Sequence, residues 1–231
     1  MERAENITTT TAGPRRSRFS LLFVGIVLTL AVRPFLEGSV GVRLLFGIFF
    51  SFIVLACVYS VSKTRRTFWA ALVLGFPAVG SVWLGVLLEK EEGWQIAGGL
   101  FQIVFWSYIL VVILSHLLQA REVTADTITG AACAYFLIGL AWSYVYFVLE
   151  SFSPGSFTFA REDESAVLNI FIYFSFITLA TVGYGDVTPV SSPARSLVVL
   201  EAVLGQLFVA ITISMLVGSY LSRSRKGASA D

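Results

Sequence analysis

The sequence predicts an all-α membrane protein with six transmembrane helices and a re-entrant helix and loop between the fifth and the sixth. Hydrophobic residues make up 56% of the 231 residues, and charged residues make up 13%. The mean hydropathy is +0.81. A soluble domain of this length needs a far larger charged surface. The apolar residues also occur in long runs, as membrane-spanning helices require.

Six apolar runs approach or meet the ~20 residues that a helix needs to cross a hydrocarbon layer of ~30 Å. They cover residues 19–36, 44–61, 67–88, 95–118, 128–149 and 196–221. The first run is the weakest, because Arg33 and Pro34 interrupt it near its end. Residues 167–181 are apolar but too short to cross, so we expect a re-entrant helix there.

The distribution of basic residues predicts the orientation, because cytoplasmic loops carry an excess of Lys and Arg. With the N-terminus inside, eleven basic residues are cytoplasmic: Arg3, Arg15, Arg16, Arg18, Lys63, Arg65, Arg66, Arg121, Arg223, Arg225 and Lys226. Five are outside: Arg33, Arg43, Lys90, Arg161 and Arg195. Both termini are therefore expected to be cytoplasmic, and the re-entrant segment enters from outside.

This layout divides the chain into four parts. Residues 1–18 are expected to form a disordered cytoplasmic tail, and residues 19–122 a four-helix membrane domain. Residues 123–222 hold the fifth span, the re-entrant segment and the sixth span, and residues 223–231 form a short cytoplasmic tail. A tail of that size is far too short for a ligand-binding domain.

The composition and the positions of the Cys and His residues argue against nucleic-acid binding, metal binding and catalysis. The net charge of +1 gives no basic excess for nucleic acid. Cys57 and Cys133 lie inside apolar runs, where a thiol usually acts as a small inert hydrophobe. His116 is expected near an interface and not in a metal site. No cofactor is expected, and no cluster of nucleophile, metal ligands or paired acids supports a membrane enzyme.

The segment Thr181-Val182-Gly183-Tyr184-Gly185-Asp186 is the motif that carries chemistry. Glycine reaches positive φ without steric cost. Glycines at alternating positions therefore let successive backbone carbonyls turn to the same side. Non-helical backbone at membrane depth is tolerated only when it is buried in protein or lines a water-filled path. Four such segments around an axis would replace the water shell of a cation with carbonyl oxygens.

The segment YFSFITLATVGYGDVTP, from Tyr173 to Pro189, resembles the potassium-channel pore family. The Thr-Val-Gly-Tyr-Gly sequence is that of known potassium-channel filters. The resemblance covers about the last hundred residues: outer helix, pore helix, filter and inner helix. It implies a potassium-selective channel that conducts passively as a homotetramer in the cell membrane, with lipid and K⁺ as its other partners.

The resemblance assigns roles to individual residues of the filter and the pore helix. The carbonyls of Thr181, Val182, Gly183 and Tyr184 would hold K⁺, and Gly185 completes the filter. A pore helix beginning near Ser165 would direct its negative end toward the ion path. The residues implied to support the filter are Thr178 beneath Tyr184, Asp186 within reach of Tyr173, and Phe174.

This sequence departs from well-known members of that family in the pore helix. Tyr173 and Phe174 replace paired tryptophans, and Ile177 stands where some relatives carry a carboxylate. Because Phe174 cannot donate a hydrogen bond, Phe174→Trp is expected to make the filter more persistent.

Three residues of the sixth span are also singled out. Gly205 matches the family's gating hinge, and close helix packing is an equally good interpretation. Thr212 is a candidate lining residue of the lower cavity. Glu201 is an acid within a span, which makes it a functional candidate by default. Its expected role is to hold the back of the pore.

The sequence does not identify the stimulus that would open the channel. A voltage sensor needs regularly spaced arginines on the fourth span, and residues 95–118 contain no Lys or Arg. We therefore expect weak or absent voltage dependence of the arginine-sensor type. The first four spans could serve as a scaffold, a lipid contact surface or an assembly domain. The acidic run 162–164 could concentrate cations, although a solvated loop is the preferred interpretation.

Two further alternatives remain open from the sequence. One is a potassium-uptake transporter, whose chains carry four degenerate filters where one is visible here. The other is a non-conducting or accessory subunit of a potassium channel or uptake system, against which the intact filter argues.

Overall fold

The computed structural model describes residues 18–32, 40–61, 64–87, 92–120, 123–159 and 167–228. In that part of the chain there are seven helices and two short strands. In chain order they are α1 Arg18–Val32, α2 Val40–Val61, α3 Arg65–Leu87, α4 Glu92–Gln119, α5 Ala125–Phe152, β1 Phe157–Phe159, α6 Val167–Leu179, β2 Val187–Pro189 and α7 Ser192–Ala228.

Four described stretches are long and apolar enough to cross a membrane, which makes the chain a multi-pass membrane protein. They are Arg65–Gly85, Gly93–Gln119, Ala125–Phe152 and Ser192–Met215. The described apolar stretches Phe19–Ala31 and Phe50–Ser60 in α1 and α2 are shorter. In the described residues, four of the six predicted spans therefore correspond to helices long enough to cross. At 13 residues, α6 is about 20 Å long and too short to cross.

Local sequence explains where several helices begin. Thr124 caps α5 by accepting a hydrogen bond from the Thr127 N–H, and Thr127 in turn accepts from the Thr124 N–H. Thr64 and Thr67 form the same reciprocal pair at the start of α3. Such caps satisfy backbone donors that have no partner inside the helix. At α7, the Ser191 hydroxyl accepts from the Ala194 N–H across Pro193, which suits a first helical turn.

Helix α5 lies at the centre of the packing. It contacts α1, α4, α6 and α7, while α2 and α3 complete a ring of neighbours from α1 to α4. One apolar core includes Leu22 of α1, Phe105 and Ile113 of α4, and Leu137 of α5. This core crosses residue 122, the boundary predicted between the two membrane domains. The boundary itself stays a prediction.

The described architecture is all-helical apart from two short strands, which the sequence did not predict. Strands β1 and β2 pair antiparallel, with Phe157 opposite Pro189 and Phe159 opposite Val187. Each strand has three residues, too few for the alternating pattern that identifies a strand from sequence. The ribbon ties the segment after α5 to the segment that follows Asp186.

Some predicted features lie outside the described residues. They are the N-terminal tail apart from Arg18, the interrupting pair Arg33 and Pro34, the helix start at Ser165, the acidic run 162–164, and the last residues, 229–231.

Candidate functional site

The candidate site is the segment from Ala180 to Asp186, which leaves the C-terminal end of α6 and leads into β2. The Thr181 N–H donates to the Thr178 carbonyl at 3.0 Å. The Val182 and Gly183 N–H groups both donate to the Ile177 carbonyl, at 2.9 and 3.3 Å. These bonds satisfy carbonyls at the end of the helix. They use backbone donors of the segment and none of its carbonyl acceptors.

The backbone of this segment alternates in handedness. Thr181, Gly183 and Gly185 have φ of +57°, +53° and +79°, whereas Val182 and Tyr184 are not among the residues with positive φ. Alternation of this kind turns successive carbonyl groups toward the same side of the chain. The sequence predicts positive φ at Gly183 and Gly185 and gives no such signal at Thr181. The backbone of Thr181, a residue with a Cβ, is in the left-handed region. This conformation costs roughly 1–2 kcal/mol and marks a site of stored strain.

Behind this segment, the side chain of Glu201 joins three helices. Glu201 on α7 is fully buried. One carboxyl oxygen contacts the Tyr146 hydroxyl of α5 and the other contacts the Ser175 hydroxyl of α6. The Ser175 hydroxyl also lies 2.8 Å from the Gly139 carbonyl. The sequence indicated Glu201 as an acid within a span, but it held no signal that would select Tyr146 or Ser175 as its partners.

Leu179, the last residue of α6, lies between glycines of two other helices. A Cβ on Gly205 of α7 would lie 2.6 Å from Leu179 Cδ2, and one on Gly139 of α5 would lie 3.2 Å from Leu179 Cδ1. Leu179 itself is buried. Helix α7 continues unbroken past Gly205. These contacts favour close packing as the role of Gly205, and the hinge role stays a prediction.

Polar side chains of α5 and α6 make contacts near the exit of the segment. The Tyr173 side chain interacts with Asp186, and the sequence predicts that these two residues lie within reach of each other. Glu150, near the end of α5, accepts from the Gly155 N–H at 2.7 Å and from the Phe157 N–H at 3.1 Å. These two bonds fix the turn that precedes β1. They therefore help to position the ribbon, whose second strand begins directly after Asp186.

The remaining predicted residues are distributed around the site. Phe174 is buried and packs edge-on against Tyr146 of α5 and Phe157 of β1. Phe174 thus packs α6 against α5 and β1. Thr178 is half-buried, and its carbonyl receives the Thr181 N–H. Thr212 is half-buried on α7, among exposed neighbours. The support role of Thr178 for Tyr184 and the lining role of Thr212 stay predictions.

Comparison with known proteins assigns a class to this part of the chain. Residues 127–221 match a protein-family model described as an ion channel. The matched range contains most of α5, all of α6, the candidate segment, the ribbon and most of α7. This C-terminal part is therefore similar to ion-channel domains over the matched residues.

Two curated proteins are similar to a part of the chain. The inward rectifier potassium channel Kirbac3.1 of Paramagnetospirillum magnetotacticum is 38% identical over 80 residues, which is 35% of this chain and 23% of that protein. Protein LctB of Bacillus caldotenax is 31% identical over 84 residues, or 35% of this chain and 62% of that protein. The matches thus span about a quarter and about three fifths of these relatives' own lengths. No solved structure matches the chain.

Proposed function

We propose that the chain is a subunit of a potassium-selective channel that conducts K⁺ passively down its electrochemical gradient. The observation that carries the proposal is the alternating left-handed backbone at Thr181, Gly183 and Gly185, directly after a short apolar helix. The sequence at those positions is that of known potassium-channel filters. The similarity to a potassium channel over part of the chain supports the same ion.

In this proposal, the backbone carbonyls of Thr181, Val182, Gly183 and Tyr184 coordinate dehydrated K⁺. The N–H groups of Thr181, Val182 and Gly183 already donate to α6 carbonyls, which leaves carbonyl oxygens as the polar groups for the ion. Helix α6 ends at Leu179, two residues before Thr181. The negative end of its dipole adds a favourable potential for a cation.

A single filter segment cannot enclose an ion path, so the proposal requires a symmetric homotetramer. The exposure of the protomer supports this assembly. Val182 and Tyr184 are 50% and 72% exposed. Helix α7 also presents a series of exposed apolar side chains, including Val199, Val203, Leu207 and Ile211. Contiguous apolar surface of this kind requires lipid or protein contact, and a channel needs protein around its axis.

The proposed orientation places both termini in the cytoplasm, with α6 entering from the outer side. The excess of Lys and Arg in the segments on the cytoplasmic side supports it. The proposed layout retains six spans. For α1 and α2, this requires residues beyond the described apolar stretches Phe19–Ala31 and Phe50–Ser60.

Gating by an arginine-type voltage sensor is not part of this proposal. Helix α4, from Glu92 to Gln119, contains no Lys or Arg. The field across a membrane acts on charges within it, so this helix provides no positive charge to move. We therefore propose that opening depends on another stimulus.

A matched pair of glycine variants tests the proposal in K⁺-loaded liposomes. Gly183 and Gly155 both have positive φ, and a Cβ at either meets no atom within 4 Å. Alanine therefore introduces the same kind of backbone strain, about 1–2 kcal/mol, inside the filter in one case and in the turn before β1 in the other. We expect Gly183→Ala to abolish K⁺ flux and Gly155→Ala to retain it. Equal flux in the two variants would contradict the filter assignment, and absence of flux in the wild type would favour the accessory-subunit alternative.

A further inference from the structure

In the part of the chain that the structure describes, the cluster around Glu201 places a carboxyl group among hydroxyls, with no Lys or Arg hydrogen-bonded to it. Glu201 is fully buried. It is the only charged residue of α7 between Arg195 and Arg223, and α6 contains none. The acids of α5, Asp126 and Glu150, lie at the two ends of that helix.

The other titratable groups around the cluster are tyrosines. On α5, Tyr146 is hydrogen-bonded to Glu201, and Tyr135 is close enough for an electrostatic interaction with it. On α6, Tyr173 is directed to Asp186 instead. Burying an ionised carboxylate without a cationic partner is costly.

The hydrogen bonds of the cluster can be counted against the available protons. There are four close oxygen–oxygen contacts: Tyr146 with Glu201, Ser175 with Glu201, Ser175 with the Gly139 carbonyl, and Ser143 with the Gly139 carbonyl. A carbonyl accepts only, an ionised carboxylate accepts only, and each hydroxyl donates one proton. Tyr146, Ser175 and Ser143 therefore supply three protons for these four contacts.

A neutral carboxylic acid at Glu201 supplies the missing proton. Glu201 then donates to the Ser175 oxygen, and Ser175 is free to donate to the Gly139 carbonyl. Tyr146 still donates to the other carboxyl oxygen. If Glu201 is ionised, Ser175 can satisfy Glu201 or Gly139 but not both, and one contact becomes a repulsion between two acceptors.

We propose that Glu201 is a protonated positioning residue that links the inner helix α7 to the outer helix α5 and to α6, the helix that carries the filter. Ser175 lies on α6, six residues before Thr181. Loss of the Glu201 proton at alkaline pH removes one hydrogen bond of this link and loosens α6 against its neighbours. The channel therefore loses sustained conduction as pH rises, and this second consequence rests on the proposed channel function.

Glutamine at position 201 separates this proposal from a role for the ionised form. The amide NH₂ donates to Ser175 and the amide oxygen accepts from Tyr146, as the neutral acid does. Glu201→Gln therefore keeps all four contacts and cannot ionise. We expect it to conduct like the wild type at neutral pH and to lose the alkaline decline. Glu201→Leu, which keeps no polar contact, is expected to lose sustained conduction at every pH.

Infrared difference spectroscopy of the full chain in lipid reads the protonation state without requiring current. We expect the carbonyl stretch of a protonated carboxylic acid at neutral pH, its reversible loss at alkaline pH, and its absence in Glu201→Gln. Glu150→Gln is the matched control, because Glu150 accepts from two backbone N–H groups before β1 and takes no part in the Glu201 cluster. That variant should keep the band.

Each outcome decides the proposal. If Glu201→Gln removes no carboxylic-acid band from the wild-type spectrum, the proposal is overturned. It is also overturned if Glu201→Gln loses sustained conduction at every pH, as Glu201→Leu is expected to do. A band that behaves as expected in a protein that never conducts would support the protonated link and contradict the proposed channel function.

Discussion

Replacing Gly205 by alanine introduces one methyl group where α7 meets the end of α6. The new Cβ would lie 2.6 Å from Leu179 Cδ2, about 0.8 Å short of the 3.4 Å at which ordinary contact begins. Leu179 cannot easily turn away, because its other methyl group lies close to Gly139 of α5. Overpacking of this kind costs about 1–3 kcal/mol. Because Leu179 is two residues before Thr181, we expect the displacement to reach the filter.

The measurement is thermal unfolding of the purified protein together with K⁺ flux in liposomes. We expect Gly205→Ala to lower both thermal stability and flux. Gly80→Ala is the control, since a Cβ at that α3 glycine meets nothing within 4 Å. Alanine there should be neutral or slightly stabilising, because glycine in a helix costs about 1 kcal/mol relative to alanine.

A second substitution distinguishes packing from a hinge. Leu179→Ala alone should cost about 2–5 kcal/mol through the cavity that it leaves. In the double variant Gly205→Ala, Leu179→Ala, the added methyl finds space. We expect a favourable coupling energy of about 0.5–3 kcal/mol and partial recovery of flux. Strictly additive effects, with gating altered equally in both backgrounds, would refute the packing account and support flexibility at Gly205.

Three further predictions follow from single sites. The sequence predicts that Phe174→Trp makes the filter more persistent, but the structure packs Phe174 against Tyr146 and Phe157. We therefore expect the larger side chain to lower the free energy of unfolding by about 1–3 kcal/mol. Slower inactivation without destabilisation would count against this packing. Glu150→Gln leaves one of two backbone N–H groups without its acceptor, so it should lower the free energy of unfolding by about 1–2 kcal/mol and speed the decay of current. Unchanged unfolding and decay would contradict the role of Glu150 in holding the turn before β1. Currents in symmetric K⁺ should lack steep voltage dependence, and a steep conductance–voltage curve would show a sensor other than arginines on α4.

Much of the helical layout follows from sequence, because lipid requires long apolar helices. The runs predicted at 67–88, 95–118 and 128–149 correspond to α3, α4 and α5, each within a few residues at either end. The short apolar segment before Thr181 likewise becomes α6. These elements are specified by length and hydropathy, which a single sequence displays directly.

What the sequence did not reveal depends on contacts between distant segments. The ribbon of β1 and β2 pairs residues about 30 positions apart, with Thr158 opposite Thr188 at its centre. The partners of Glu201 come from two other helices. The left-handed backbone at Thr181 is set by its hydrogen bond to α6 and by its neighbours, and not by the intrinsic preference of threonine.

The most direct test of the central claim is the reversal potential of the reconstituted protein under a K⁺/Na⁺ gradient. If the carbonyls of residues 181–184 select K⁺, current through the wild type should reverse close to the K⁺ equilibrium potential. Gly155→Ala should show the same reversal potential, since that glycine lies outside the filter. A wild-type reversal near zero would contradict potassium selectivity, and with it the role assigned to the alternating backbone of Thr181, Gly183 and Gly185.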